Sequence, residues 1–214
     1  MAEIDRHVAA LLLQCKAIIL EPEIPFTWAS GWKSPIYCDN RITLSYPKVR
    51  DYIREAFQTS INKHFEAPDL IAGVATGAIA HGALVADCMD LPFVYVRPSV
   101  KEHGRKNLIE GRIEIGQKVV VVEDLISTGG SSLKAVEALR EAGAEVLGMI
   151  AIFSYGFELA AENFKKEEVN LHTLTNYHIL IEAALDSGAV QEDQLEMLQD
   201  WRKDPSAWKG NKKA

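Results

Sequence analysis

Apolar residues along the chain follow two rhythms. Ile4, Val8, Leu11, Leu12, Cys15, Ile18 and Ile19 recur at helical spacing and predict an amphipathic helix over residues 4–19, closed by Pro22 and Pro25. Residues 26–45, rich in Trp, Ser, Gly and Pro, read as turns or short strands, and Pro47 opens a predicted helix through about Lys63. Short, nearly continuous apolar runs then take over. Residues 69–74, 93–97, 118–123 and 145–153 read as strands, and the four valines Val119–Val122 are the mark of a strand buried on both faces. A small-residue turn, Ala75-Thr76-Gly77-Ala78, precedes a helix through Ala86. Leu133, Val136 and Leu139 set a helix over 132–142, with Gly143 as its C-cap. Residues 98–116 have little periodicity and much charge, the pattern of a long mobile loop with some hairpin character. Residues 174–208 hold two helical stretches separated by Ser187-Gly188, and Lys209–Ala214 form a disordered tail.

Strands alternating with helices predict an α/β fold, a central parallel sheet with crossover helices, in a single domain over residues 1–208. A ligand in such a sheet sits at the C-terminal strand ends, which places the Gly73–Ala78 turn, Arg97 and the Glu123–Ser132 loop on one rim.

Composition narrows the function. The formal charge of −7 argues against a general nucleic-acid binder. Against that background, residues 97–106 carry Arg97, Lys101, Arg105 and Lys106 with only Glu102 opposing, a local sum of 4 − 1 = +3, as suits a small anionic ligand. No apolar run is long enough to cross a bilayer, so no membrane role is expected. The acidic N-terminus lacks an export pattern, and Cys15, Cys38 and Cys88 fit neither a disulfide framework nor a zinc site, so a reducing cytoplasm is the expected compartment.

The most specific chemistry lies at residues 123–132. Glu123 and Asp124 stand at the C-terminal end of the valine strand, and Ser127-Thr128-Gly129-Gly130-Ser131-Ser132 leads directly into a helix. Backbone N–H groups and hydroxyls gathered at a helix N-terminus stabilise a phosphate. A Walker loop would need a Lys after its last Gly, and a dinucleotide fingerprint would need Gly-x-Gly-x-x-Gly; neither is present. Carboxylates beside a phosphate cradle suit a ligand that also offers hydroxyls or a divalent cation, which together describe a phosphorylated sugar with magnesium.

This segment resembles the phosphoribosyl-pyrophosphate signature of the type I phosphoribosyltransferases. Phe26-Thr27-Trp28-Ala29-Ser30-Gly31-Trp32-Lys33-Ser34-Pro35, the Arg97-Pro98-Ser99-Val100-Lys101-Glu102-His103-Gly104 loop, and the closing Trp201, Asp204-Pro205 and Trp208 are similar to motifs of the orotate phosphoribosyltransferase family. The resemblance covers nearly the whole chain. It implies a type I phosphoribosyltransferase-like fold with a small hood built from about residues 1–45 and C-terminal elements. It also implies Mg²⁺-dependent transfer of the phosphoribosyl group to N1 of orotate, in a homodimer whose basic loop reaches the neighbouring active site.

On this reading Arg97, Lys101 and His103 bind phosphoribosyl pyrophosphate, with Lys101, His103 and Asp124 as the catalytic set. Glu123 and Asp124 hold the ribose hydroxyls, near magnesium held mainly by the substrate. Leu125, Ile126, Ser127, Thr128, Gly129, Gly130 and Ser131 complete the sugar-phosphate site, and Ser127, Lys33 and Tyr37 approach orotate. The chain departs from the family where basic residues are common: Ala29, Gly77 and Pro98 stand at three such positions, and Ile152–Gly156, read as the end of the last strand, lacks an Arg. Backbone N–H groups of residues 30–38 with Lys33 are left to read the orotate carboxylate. A phosphoribosyltransferase for another base and a non-catalytic ligand sensor are the alternatives. A fused decarboxylase barrel has no room in this length.

Overall fold

The structure is a computed structural model that describes residues 2–28, 31–99 and 108–209. In chain order its elements are α1 (Ala2–Gln14), β1 (Ile18–Leu20), β2 (Phe26–Thr27), β3 (Lys33–Ser34), β4 (Ile36–Cys38), a 3-10 segment (Asn40–Ser45), α2 (Pro47–His64), β5 (Leu70–Val74), α3 (Ile79–Met89), β6 (Phe93–Val96) and β7 (Ile109–Glu110). They continue with β8 (Lys118–Ile126), α4 (Gly130–Glu141), β9 (Glu145–Ser154), α5 (Glu158–Lys166), β10 (Leu171–Asn176), α6 (Tyr177–Asp186), a 3-10 turn (Glu192–Gln194) and α7 (Leu195–Lys203).

The valine run is the middle of the molecule. Strand order in the main sheet is β10-β9-β8-β5-β6-β7, parallel throughout except for β7. Side chains alternate along a strand, so Val120 and Val122 enter one core and Val119 and Val121 the other. The first core includes Leu12, Ile53, Phe57, Val85 and Leu180 from α1, α2, α3 and α6. The second includes Val136, Leu139 and Phe164 from α4 and α5. This two-sided burial is why the run carries no polar alternation.

A smaller layer lies beside the sheet. β1 pairs with β4, β2 pairs with β3, and α7 closes over them. Its centre is Trp201, fully buried, whose ring meets Trp28, Tyr155, Phe157 and Tyr177 at centroid distances of 5.5–5.8 Å. The Trp201 indole donates to the Lys33 carbonyl (3.2 Å), fastening the C-terminal helix to the N-terminal hairpin.

Several expectations need correction. The first helix ends at Gln14, not residue 19. Lys16 adopts φ +58, and Ile18 and Ile19 belong to β1, opposite Cys38 and Tyr37. Two isoleucines at the end of a helical stripe satisfy either period, and only the partner strand distinguishes them. Strand β8 runs to Ile126 because β9 pairs with it that far, so Glu123 and Asp124 lie inside the strand rather than at its end. Helix α5 and strand β10 fall outside the elements expected above, and β10, not β9, ends the sheet. In this edge strand only the consecutive Leu174 and Thr175 are buried, so it carries no period-2 signal. Within 98–116, Ile109 is buried and pairs with Val96, so that part of the span belongs to the sheet.

Candidate active site

At the C-terminal edge of β8 and β5 the chain encloses a cavity of about 440 Å³. It is lined by Glu123, Asp124, Leu125 and Ser127–Ser132 on one side, Val74–Gly77 on another, and Cys38, Asp39 and Arg41 in front. Successive strand residues point to opposite faces, so Glu123 and Asp124 have different environments. Glu123 is buried. Its carboxylate accepts from the Ser132 hydroxyl (2.7 Å) and from the Asp124 backbone N–H (2.9 Å), tying β8 to the first turn of α4. Burial, reinforced by the Asp124 charge, pushes the Glu123 carboxyl well above the usual carboxylate range. Asp124 points toward the β5 turn, where any side chain at Gly77 would collide with its carboxylate.

The raised Glu123 pKa has a definite sign. Below the ordinary carboxylate pKa both folded and unfolded chains hold the proton, and no stability is lost. As pH rises from there through the raised folded-state value, the unfolded chain releases its proton first, and stability falls. The ligand-free protein is therefore expected to melt higher at mildly acidic than at neutral pH. Glu123→Gln should flatten that slope and raise the melting temperature at neutral pH. Thermal denaturation against pH checks this, and identical slopes in the two proteins would refute it.

The loop from Ser127 to Ser131 turns the chain from β8 into α4. Gly129 makes the turn with φ +80, and an added Cβ would stand 2.6 Å from a ring carbon of Phe164. Asn163, one residue earlier in α5, donates to the Thr128 carbonyl (3.0 Å). The missed helix α5 is thus the brace of the loop. The free N–H groups at the start of α4 give it the dipole and donors that hold a phosphate.

In front, Asp39 accepts from Arg41 in a fork, with Nε at 2.7 Å and Nη2 at 2.9 Å. The hydrogen bond from Arg41 lowers the Asp39 pKa. Between them, Asn40 is fully buried; its amide donates to the Asp124 carbonyl (2.6 Å), and its own carbonyl accepts from Thr43 (2.6 Å). The Thr43 hydroxyl also approaches buried His81 (3.4 Å), whose pKa is lowered by burial.

Of the residues expected at the site, Glu123, Asp124, Leu125, Ser127, Thr128, Gly129, Gly130 and Ser131 share this cavity. Ile126 does not: it is fully buried in the core beneath β8. Arg97 faces an adjoining cavity of about 510 Å³ that shares Val74, Ala75 and Ser131 with the first, and it stands 3.5 Å from Glu110. Lys33 is exposed, with its ammonium on the Thr27 hydroxyl (2.7 Å), and Tyr37 is partly exposed against Phe26. Neither lines the cavity. Lys101 and His103 lie outside the described residues. Sequence reading left out Cys38, Asp39 and Arg41 and the supports Asn40, Thr43 and His81. Asp39 and Arg41 form an ion pair that is also cavity wall. No periodicity marks these residues; they reach β8 only through the tertiary fold.

Both Glu123 oxygens are engaged by protein donors, so Asp124 is the carboxylate available to a hard cation or to sugar hydroxyls. Among the described residues no group of three His, Cys, Asp or Glu side chains could hold a metal. Asp124 alone offers fewer donors than a protein-built cation site needs. A mostly parallel sheet whose central strand presents this acidic pair beside a Ser/Thr/Gly loop entering a helix defines an α/β protein with its candidate site at the C-terminal strand ends.

Comparison with known proteins carries this further. Residues 42–187 match the family described as phosphoribosyl transferase domain. The orotate phosphoribosyltransferase of Cytophaga hutchinsonii is 58% identical over 204 residues, 95% of this chain and 98% of that protein. Among solved structures, orotate phosphoribosyltransferase from Aeropyrum pernix superposes with a TM-score of 0.75 at 28% identity, covering 86% of this chain and 99% of that one. The Mycobacterium tuberculosis H37Rv enzyme in complex with 5-phospho-alpha-D-ribosyl 1-diphosphate gives 0.64 at 25% identity, covering 82% and 98%. The chain belongs to the phosphoribosyltransferases and, among them, to the orotate phosphoribosyltransferase family.

Proposed function

We propose that the protein transfers the 5-phosphoribosyl group from phosphoribosyl pyrophosphate to N1 of orotate, with Mg²⁺, giving orotidine 5′-monophosphate and pyrophosphate in pyrimidine biosynthesis. The observation that carries this is one cavity holding both the β8 acidic pair and the phosphate loop. Names and coverage of the relatives support orotate as the base.

In this reading the orotate N1 bonds to C1 of the ribose and releases its proton to solvent, while the C1–O bond to pyrophosphate breaks, with inversion. Negative charge grows on the departing group, and fixed cations aimed at it are worth more in the transition state than in the ground state. Arg97, in the adjoining cavity, and Lys101 meet that charge, and His103 donates to the leaving oxygen. Asp124 holds the ribose hydroxyls and orients C1; Ser127–Ser131 hold the 5′-phosphate. Magnesium, when bound with the substrate, supplies further neutralisation of the pyrophosphate. The active form is a cytoplasmic homodimer in which the basic loop of each subunit serves the other's site, closing to exclude water.

The test is orotate consumption, followed by absorbance, with phosphoribosyl pyrophosphate and Mg²⁺. Wild type consumes orotate and leaves hypoxanthine and adenine unchanged; preference for a purine would reject the reading. Asp124→Asn raises the KM for phosphoribosyl pyrophosphate about tenfold or more, the value of one charged hydrogen bond. Its melting temperature stays near wild type.

A further inference from the structure

The proposed substrates bring more negative charge than the cavity visibly answers. The phosphate loop takes one phosphate. The pyrophosphate end adjoins the β5 turn and the Arg97 cavity, which share Val74 and Ala75. The carboxylate of the base remains, and the family's usual basic positions are Ala29, Gly77 and Pro98 here. Lys33 does not line the cavity, and its ammonium is already on Thr27.

Among the described residues, Arg41 is the one Lys or Arg side chain in the cavity wall. Its Nε and Nη2 are bound by Asp39, and its Nη1 makes no hydrogen bond among the described residues. The fork fixes the guanidinium before any ligand arrives, so little side-chain freedom is lost on binding. The neighbouring Asn40 is locked to the Asp124 carbonyl, so the guanidinium is held in register with the ribose-binding carboxylate. A planar, partly engaged guanidinium is well suited to accept a planar carboxylate.

We infer that Arg41, held by Asp39, reads the carboxylate of the base and sets the preference for an acidic pyrimidine. This deepens the orotate reading and rests on it.

The experiment measures KM for orotate and for phosphoribosyl pyrophosphate separately, and the orotate-to-uracil preference, in wild type, Arg41→Gln, Asp39→Asn and Arg202→Gln. Arg202, bound to the Tyr155 and Gly156 carbonyls beside a cavity that meets the first only at Thr128, is the comparison cation. Arg41→Gln is expected to raise KM for orotate ~10–100-fold and to lower the preference over uracil by a similar factor. KM for phosphoribosyl pyrophosphate should stay within about twofold and the melting curve unchanged. Asp39→Asn, which loosens the fork, should raise KM for orotate by a few-fold, and Arg202→Gln should leave it unaltered. Equal rises in both KM values would mean that Arg41 serves the pyrophosphate, and would overturn the inference. So would an unchanged orotate preference, or an effect confined to Arg202→Gln. Failure of wild type to use orotate would instead overturn the functional reading beneath it.

Discussion

Gly129→Val is expected to raise the KM for phosphoribosyl pyrophosphate about 100-fold or more and to lower stability by about 2–5 kcal/mol. Two costs combine. Gly129 sits at φ +80, where an L side chain is strained by ~1–2 kcal/mol. Its Cβ would also press on Phe164 at 2.6 Å and 3.1 Å, and Phe164 is a buried ring with no room to retreat, so overpacking adds ~1–3 kcal/mol. The chain relieves both by moving the loop, which displaces the N–H groups and hydroxyls that receive the phosphate. Loss of two charge-assisted hydrogen bonds, at ~1.5–3 kcal/mol each, accounts for the affinity change. Gly130 has a conventional φ and nothing within 4 Å of an added Cβ, so Gly130→Ala should melt within about 0.5 kcal/mol of wild type. Steady-state kinetics and thermal melts of both variants decide the matter; a Gly129→Val enzyme with wild-type KM would disprove the assignment of this loop to phosphate.

Trp201→Ala is expected to cost ~3–5 kcal/mol, and in a chain of this size to lower the melting temperature by roughly 6–20 °C. The ring is wholly buried among four aromatic side chains, two of them, Tyr155 and Tyr177, at the ends of main-sheet elements. Its N–H holds the Lys33 carbonyl, so removal both opens a cavity and releases the β2–β3 hairpin from α7. Trp201→Phe, which keeps much of the ring contact and loses the hydrogen bond, should cost about half as much or less. Scanning calorimetry provides the measurement. A loss below ~1 kcal/mol would show that α7 is not a structural cover for the N-terminal strands.

Residues differ in how openly the sequence announces them. Glu123 and Asp124 were legible as a site because carboxylates at the edge of an all-apolar run cost too much to be incidental. Their unequal roles were not legible: Glu123 is a buried strut and Asp124 the open carboxylate, a division set by which face of β8 each meets. The Ser127–Ser131 loop was legible as composition, but its brace, Asn163 and Phe164, was not, since α5 lies about 35 residues downstream. Arg41 and Asp39 were not legible as cavity wall, because only the fold brings the segment after β4 in front of β8.

By itself the sequence determined what local rules can determine: the parallel α/β arrangement, the buried valine strand, and a Ser/Thr/Gly loop that leads from that strand into a helix. Periodicity and backbone preference act over a few residues, so such features are written contiguously. The tertiary structure alone decided which residues close the cavity. Asn40 reaches across 84 positions to the Asp124 carbonyl, and Trp201 across 168 to that of Lys33. Contacts at that separation depend on how the sheet twists and which helices cover it, and no short window of residues specifies that.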